Sequence, residues 1–286
     1  MNVVVESGAQ AAGCRISDLC DHVGMSRQNY YAARRLRHRR EIDEEMILKL
    51  VRQERRLQGR LGGRKLLHRI RPELESADVE IGRDRFFELL AEHDLLVERK
   101  PSRPRTTNSR HSLPVYRNIL ADMELTGPNQ AWVSDLTYIR TEEGFVYAAL
   151  IMDAYSRKIV GYNVGDSLES IGCQTALRMA LKELPDGMHP VHHSDRGCQY
   201  CCHDYINLLE SRGLLVSMTE VLHCYENAKA ERLNGIMKNE YEMDQTFRTK
   251  DQARKAFAQA VELYNCCRPH GKLAYRYPAE VHQEAA

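Results

Sequence analysis

Trp132-Val133-Ser134-Asp135-Leu136-Thr137-Tyr138 is the stretch whose reading decides the fold. Its β-branched and aromatic residues suit a strand, and an acid lies inside it. Residues 132–140 read as a first strand. A Glu142-Glu143-Gly144 turn leads to a second at 145–153, and a turn near Ser156 to a third at 158–164. Residues 170–184 read as a helix with Ala176, Leu177 and Leu181 facing inward. A short strand at 190–193 delivers Asp195. A helix at 203–212, a strand at 214–218 and a helix at 227–240 follow. The order β-β-β-α-β-α-β-α predicts an α/β fold, with functional residues at strand ends beside a neighbouring helix.

Three acids in that frame stand in different local settings. Asp135 lies inside a strand. Asp195, in His192-His193-Ser194-Asp195-Arg196-Gly197, follows one. Glu231, in Ala230-Glu231-Arg232-Leu233-Asn234-Gly235, sits on a helix, with 35 residues between it and Asp195. Three carboxylates brought together make a hard-oxygen site for a divalent metal. Two such ions, about 3.5–4 Å apart, clamp the attacking and leaving oxygens of a phosphoryl displacement. On the last helix Asn227, Glu231, Asn234 and Lys238 recur at i, i+4, i+7 and i+11 as one polar stripe. Ala230, Leu233 and Met237 fall on another face, suited to the sheet. The stripe, Glu231 included, is therefore expected to point away from the core, with Lys238 placed to hold a terminal phosphate.

The chain resembles the second-reading-frame transposases of bacterial insertion sequences, which carry a retroviral-integrase-like core with a DDE triad. The resemblance rests on residues 132–138, on His193-Ser194-Asp195-Arg196-Gly197, and on Tyr225-Glu226-Asn227-Ala228 with residues 230–235. Arg268-Pro269-His270 and Pro278-Ala279-Glu280-Val281 extend it. It implies a ribonuclease-H-like integrase core, preceded by all-α helix-turn-helix units. It also implies metal-dependent cleavage and strand transfer at element ends, with Asp135, Asp195 and Glu231 both catalytic and metal-binding. The implied cofactor is Mg2+ or Mn2+, as two ions. The implied partners are duplex DNA at element ends and targets, an upstream-frame product joined by fusion or association, and further copies of the chain on DNA. Where the family tail reads Ser-Leu and Thr-Pro, this chain has Lys272-Leu273 and Tyr277-Pro278. Two other readings of the same residues are a catalytically idle DNA-binding regulator and a ribonuclease-H-type nuclease. The basic helical front argues against the nuclease, and the intact acids against the regulator.

Net charge over the 286 residues is only +1, but its distribution is uneven. Residues 1–120 hold 24 Lys/Arg against 17 Asp/Glu; residues 121–286 hold 17 against 23. The front is the electrostatic footprint expected of a phosphate binder. No apolar run approaches the roughly 20 residues of a membrane span, and the opening residues lack signal-peptide character. A cytoplasmic, nucleoid-associated protein without a membrane partner is expected. Its nine cysteines are expected to stay reduced. Cys198, Cys201, Cys202, His203, His223 and Cys224 have a zinc-like spacing, yet in the family these Cys positions are small and polar, so no metal is expected there.

Residues 16–40 read as a helix-turn-helix. Leu19 and Val23 share a face of a first helix, Gly24 permits the turn, and Ser26 caps a second helix at 27–36. Its N-terminal residues Arg27, Gln28 and Asn29, with Arg34 and Arg35, are the candidate groove contacts. Residues 41–61 read as a separate charged helix with Ile42, Met46, Leu50 and Leu57 recurring, ended by Gly62-Gly63. In a second helix-turn-helix-like unit at 62–99, a helix over 64–70 leads to Pro72, residues 79–81 read as short and extended, and a helix at 82–93 follows; it offers Arg64, Lys65, Arg83 and Arg85. Residues 100–118 read as a basic linker in which Arg103 and Arg105 track the DNA backbone. The catalytic core is placed at 119–245, and a C-terminal helix and tail at 246–286, the helix over 250–264 with Ala253, Phe257, Val261 and Tyr264 at helical spacing as core.

Overall fold

A computed structural model describes residues 15–97, 113–220 and 227–284. Two short strands and three long ones build a sheet in the order β3-β2-β1-β4-β5. Strand β1 (Ala131–Thr141) runs antiparallel to β2 (Gly144–Asp153), which pairs antiparallel with β3 (Ile159–Gly165). On its other side β1 pairs in parallel with β4 (Val191–Ser194), and β4 with β5 (Leu215–Met218). A two-residue strand β6 (Thr246–Phe247), not expected from the sequence, adds in parallel to the end of β1.

Alternation along β1 separates two cores. Ala131, Val133 and Ile139 join a cluster closed by α8 (Ala228–Glu240) and α9 (Lys250–Cys267). Trp132 faces the other way, against α5 (Ser170–Glu183), α6 (Cys198–Cys201) and α7 (His203–Glu210). A side chain on Gly161 would run into the Ala176 carbonyl oxygen, so α5 crosses β3 at a distance only glycine allows. The inward residues expected of α5 and α9 are buried, Ala176 and Leu177 on one, Ala253 and Phe257 on the other. This two-sided mixed sheet is the ribonuclease-H-like architecture.

The front of the chain is all helical. Helix α1 (Ile16–Val23) ends at Gly24, whose φ of +69° closes the turn in the left-handed region. Ser26 caps the next helix, accepting from Asn29 N. Three expectations need correction. The separate helices at 27–36 and 41–61 are one helix, α2 (Arg27–Leu57), because no glycine or proline interrupts the strong helix formers between them. Its buried residues are Ile47, Leu48 and Val51, while Ile42 and Leu57 are exposed, as is Val23 on α1. Proline 72 does not end α3 (Gly63–Ser76) but lies inside it. The short segment at 79–81 forms no strand and leads into α4 (Arg83–Glu92).

One apolar cluster unites the end of α2 with α3 and α4, so packing crosses the expected boundary at residue 61. This helical unit docks on the back of the core. Arg69 bridges Glu54 and the Tyr277 hydroxyl, 2.9 and 3.0 Å away, and His68 stacks on Tyr275. Arg60 pairs with Glu242 at 3.1 Å. The last helix, α10 (Pro278–Glu284), buries Val281.

Candidate active site

Strand pairing brings two of the acids onto neighbouring strands. Val133 pairs with His193 across the parallel β1–β4 ladder. Asp135 lies two residues further along β1, and Asp195 is the first residue past the end of β4. The third acid arrives on α8. Asn227 Nδ2 donates to the Ser134 carbonyl at 3.0 Å, and Asn234 Nδ2 donates to Asp135 Oδ2 at 2.8 Å. Glu231 lies between these two contacts on the same helix stripe, so it faces the strand that carries Asp135.

The expected stripe is correct in membership and wrong in direction. Asn227 and Asn234 are buried against β1 rather than turned away from the core. Ala230, Leu233 and Met237 are buried beside them, as expected. The packing faces of the helix are therefore polar over Asp135 and apolar over the rest of the sheet.

All three acids are half-buried. Asp135 Oδ1 accepts from Leu136 N at 2.9 Å, and Asp195 Oδ1 accepts from Gly197 N at 3.0 Å. These donors orient the carboxylates without neutralising them, and the oxygen donor set suits a hard divalent cation. Among the described residues, no three His, Cys, Asp or Glu side chains are grouped closely enough to hold a metal ion as they stand. The Lys238 ammonium lies 4.7 Å from the Tyr138 ring centroid, on the stripe and beside β1.

The two histidines before Asp195 support the site from behind. His193 is fully buried with Nδ1 2.9 Å from Ser217 Oγ. Ser217 in turn accepts from Ile119 N. His192 lies 2.9 Å from the Tyr205 hydroxyl, and burial first, then neighbouring His193, pushes it down to about 3. It is a neutral hydrogen-bonding ring.

The DNA-contact candidates divide by surroundings. Arg27, Gln28, Asn29, Arg34, Arg35 and Arg64 are exposed. Arg83 pairs with Asp84, and Arg85 with Glu44 and Glu92. Lys65 does not project outward: its Nζ lies 2.8 Å from Glu240 at the end of α8. Arg103 and Arg105, with His223 and Cys224 of the cysteine cluster, lie outside the described residues. Of the other cysteines, Cys201 points to Met218 sulfur at 3.7 Å, Cys202 to the Gln199 carbonyl, and Cys198 is exposed.

Sequence reasoning missed the partner of Glu240. Arg268, the first residue of Arg268-Pro269-His270, donates to it from Nε at 2.7 Å and from a terminal nitrogen at 2.9 Å. The signal present was a lone arginine beside proline at a helix end, which does not name a partner 28 residues away.

Two integrase core domain models match, over residues 126–224 and 212–278. The uncharacterized 31 kDa protein of insertion element IS600 from Shigella sonnei is 37% identical over 94% of this chain and 100% of its own. The transposase of insertion sequence element IS629 from the same organism is 33% identical, covering 71% of this chain and 68% of its own. The magnesium-bound HTLV-2 integrase catalytic core is 17% identical with a TM-score of 0.44, covering 55% of this chain and 98% of its own.

Proposed function

The chain belongs to the insertion-sequence transposases that carry an integrase core domain, and on that footing we propose that Asp135, Asp195 and Glu231 form its catalytic triad. The observation that carries this reading is the convergence of β1, β4 and α8, through the Val133–His193 register and the Asn234–Asp135 hydrogen bond. The reaction is transfer of a DNA phosphodiester. Water attacks phosphorus, the bond to the 3′ oxygen breaks, and a free 3′-hydroxyl remains beside a 5′-phosphate. That hydroxyl then attacks a second phosphodiester, expelling another 3′-hydroxyl.

Asp135, Asp195 and Glu231 would hold magnesium or manganese, as two ions, which would supply charge to stabilise the reacting oxygens. Binding would draw the carboxylates together, since among the described residues no three are grouped for it as the side chains stand. The amide donors at Leu136, Gly197 and Asn234 keep the Asp135 and Asp195 oxygens aimed while this happens. Lys238, beside Tyr138, receives a phosphate at the reacting end.

The helical front recognises duplex DNA. Arg27, Gln28 and Asn29 at the capped start of α2 are its base-reading residues, and Arg34, Arg35 and Arg64 contact the backbone. Arg103 and Arg105 serve the linker. Lys65 is reassigned to the junction with the core. The active species is an oligomer on DNA, formed by this chain alone or joined to an upstream-frame product.

The test is incubation of the chain, alone and fused to the upstream product, with a labelled duplex carrying an element end and magnesium. Nicked and joined products are expected. Selective binding by both forms without cleavage in magnesium or manganese would replace this reading with that of a regulator.

A further inference from the structure

Behind the acids, on the other side of α8, the structure holds a cavity of about 630 Å³ lined by Arg157, Lys229, Lys272 and Arg276. One carboxylate, Glu124, shares the lining. Lys229 lies two residues before Glu231, so at 100° per residue it points to the opposite face of the helix. Arg157 comes from the β2–β3 turn, and Lys272 and Arg276 from the tail after α9. Three separate parts of the chain thus bring positive charge to one place.

The buried Asp153 carboxylate offsets part of the charge on Arg157 and Lys229, but four cations share this lining with Glu124 alone. Arg276 pairs with Glu284. Among the described residues Arg157, Lys229 and Lys272 form no ion pair, and Arg157 Nε is buried without a hydrogen-bond partner. Burial first, and then the Arg157 charge, lowers the Lys229 ammonium below its ordinary range. His270 nearby is pushed down to about 4 by burial and then by Arg268, Arg157 and Lys65. The backbone is strained at the same place: Arg157 and Ala274, both lining the cavity, have φ of +66° and +52°. Left-handed backbone at residues other than glycine persists only where the surroundings enforce it.

We propose that this cavity binds a phosphodiester group of DNA, a backbone site separate from the three acids and contributed by the core itself. The proposal rests on the transposase reading for the identity of its ligand. A phosphate oxygen satisfies Arg157 Nε and offsets the repulsion among Arg157, Lys229 and Lys272 at once. Held there, the duplex is anchored on one side of α8 while its reacting strand lies on the other.

The experiment measures binding of the full chain to a fluorescent duplex of arbitrary sequence across a salt series, using wild type, Lys229→Gln with Lys272→Gln, and Lys255→Gln as a surface control. The slope of log affinity against log salt is expected to fall by about one in the double variant, for the one phosphate lost, and to return with Lys229→Arg and Lys272→Arg. Melting without DNA should be unchanged or raised, because repulsion is relieved. A double variant that melts as wild type and keeps the wild-type slope would overturn the proposal. So would inorganic phosphate stabilising wild type but not the double variant while the DNA slope stays the same, which would make this a small-anion site. Cleavage is not read, so inactive acids and an absent backbone site give different results.

Discussion

Glu231 and Glu240 sit nine residues apart on α8, half a helical turn out of phase, and face different parts of the molecule. Glu231 is half-buried on the stripe that faces β1. Glu240 is clasped by Lys65 and Arg268, with Arg268 only 3% exposed. Burial alone would raise the Glu240 carboxyl, but hydrogen bonds and charge from Arg268 and Lys65 hold it below its ordinary range. A carboxylate already neutralised by two protein cations has little left to offer a metal. One helix therefore carries a structural acid at its end and a candidate catalytic acid near its start, and what separates them is the company each keeps.

The sharpest break of this comparison is at the candidate site. Asp135→Asn, Asp195→Asn and Glu231→Gln should each cut cleavage and joining by more than about 100-fold, since loss of supporting residues alone costs 10–100-fold. Circular dichroism and melting should be near wild type, because each amide keeps the shape and one accepting oxygen of the half-buried acid it replaces. Near-normal activity of any one variant in magnesium would remove that residue from the triad.

Glu240→Gln should do the reverse. It leaves Lys65 and Arg268 buried without a counter-charge, and a loss of about 3–5 kcal/mol is expected in denaturant unfolding. The same pair predicts a pH dependence. Glu240 has a depressed folded pKa, so its stabilisation is complete above the unfolded carboxylate value of about 4.3 and is lost as pH falls through the folded value. The acid limb of the stability profile should be flatter in Glu240→Gln than in wild type; parallel profiles would mean that the clasp is energetically idle.

Asn234→Ala lies between the two cases. It removes the donor to Asp135 Oδ2, and activity should fall about 10–100-fold while stability changes little. Restoration of activity by higher magnesium would indicate that the lost step is carboxylate positioning. An unaffected rate would show that the 2.8 Å contact orients nothing the reaction uses.

The smallest expected effect is on DNA selectivity. Arg27→Ala should weaken preference for the correct element end over random duplex by about 1–3 kcal/mol if the side chain reads a base. Cleavage of ends bound at saturation should be unchanged. Equal weakening on all duplexes would make Arg27 a backbone contact instead.

Local pattern was enough for much of this molecule. The β-branched and aromatic residues at 131–141, the apolar run within 144–153, the buried spacing of Ala253, Phe257 and Val261, and the Ser26 cap are short-range properties, and each formed nearly where the sequence predicts. The positions of Asp135, Asp195 and Glu231 on strand, strand end and helix were legible for the same reason. Other choices belonged to tertiary packing. The face α2 buries depended on where α3 and α4 lie, so Ile47 and Val51 went inside and Ile42 and Leu57 did not. The polar stripe of α8 turned inward because Asn227 and Asn234 found a carbonyl and a carboxylate on β1. Lys65 left the pool of surface cations because Glu240 and Arg268, distant in sequence, met it at the junction. Helical and strand periodicity state which side chains share a face; what that face meets is settled only when elements far apart in the chain come together, since burial and charge pairing are properties of the contact.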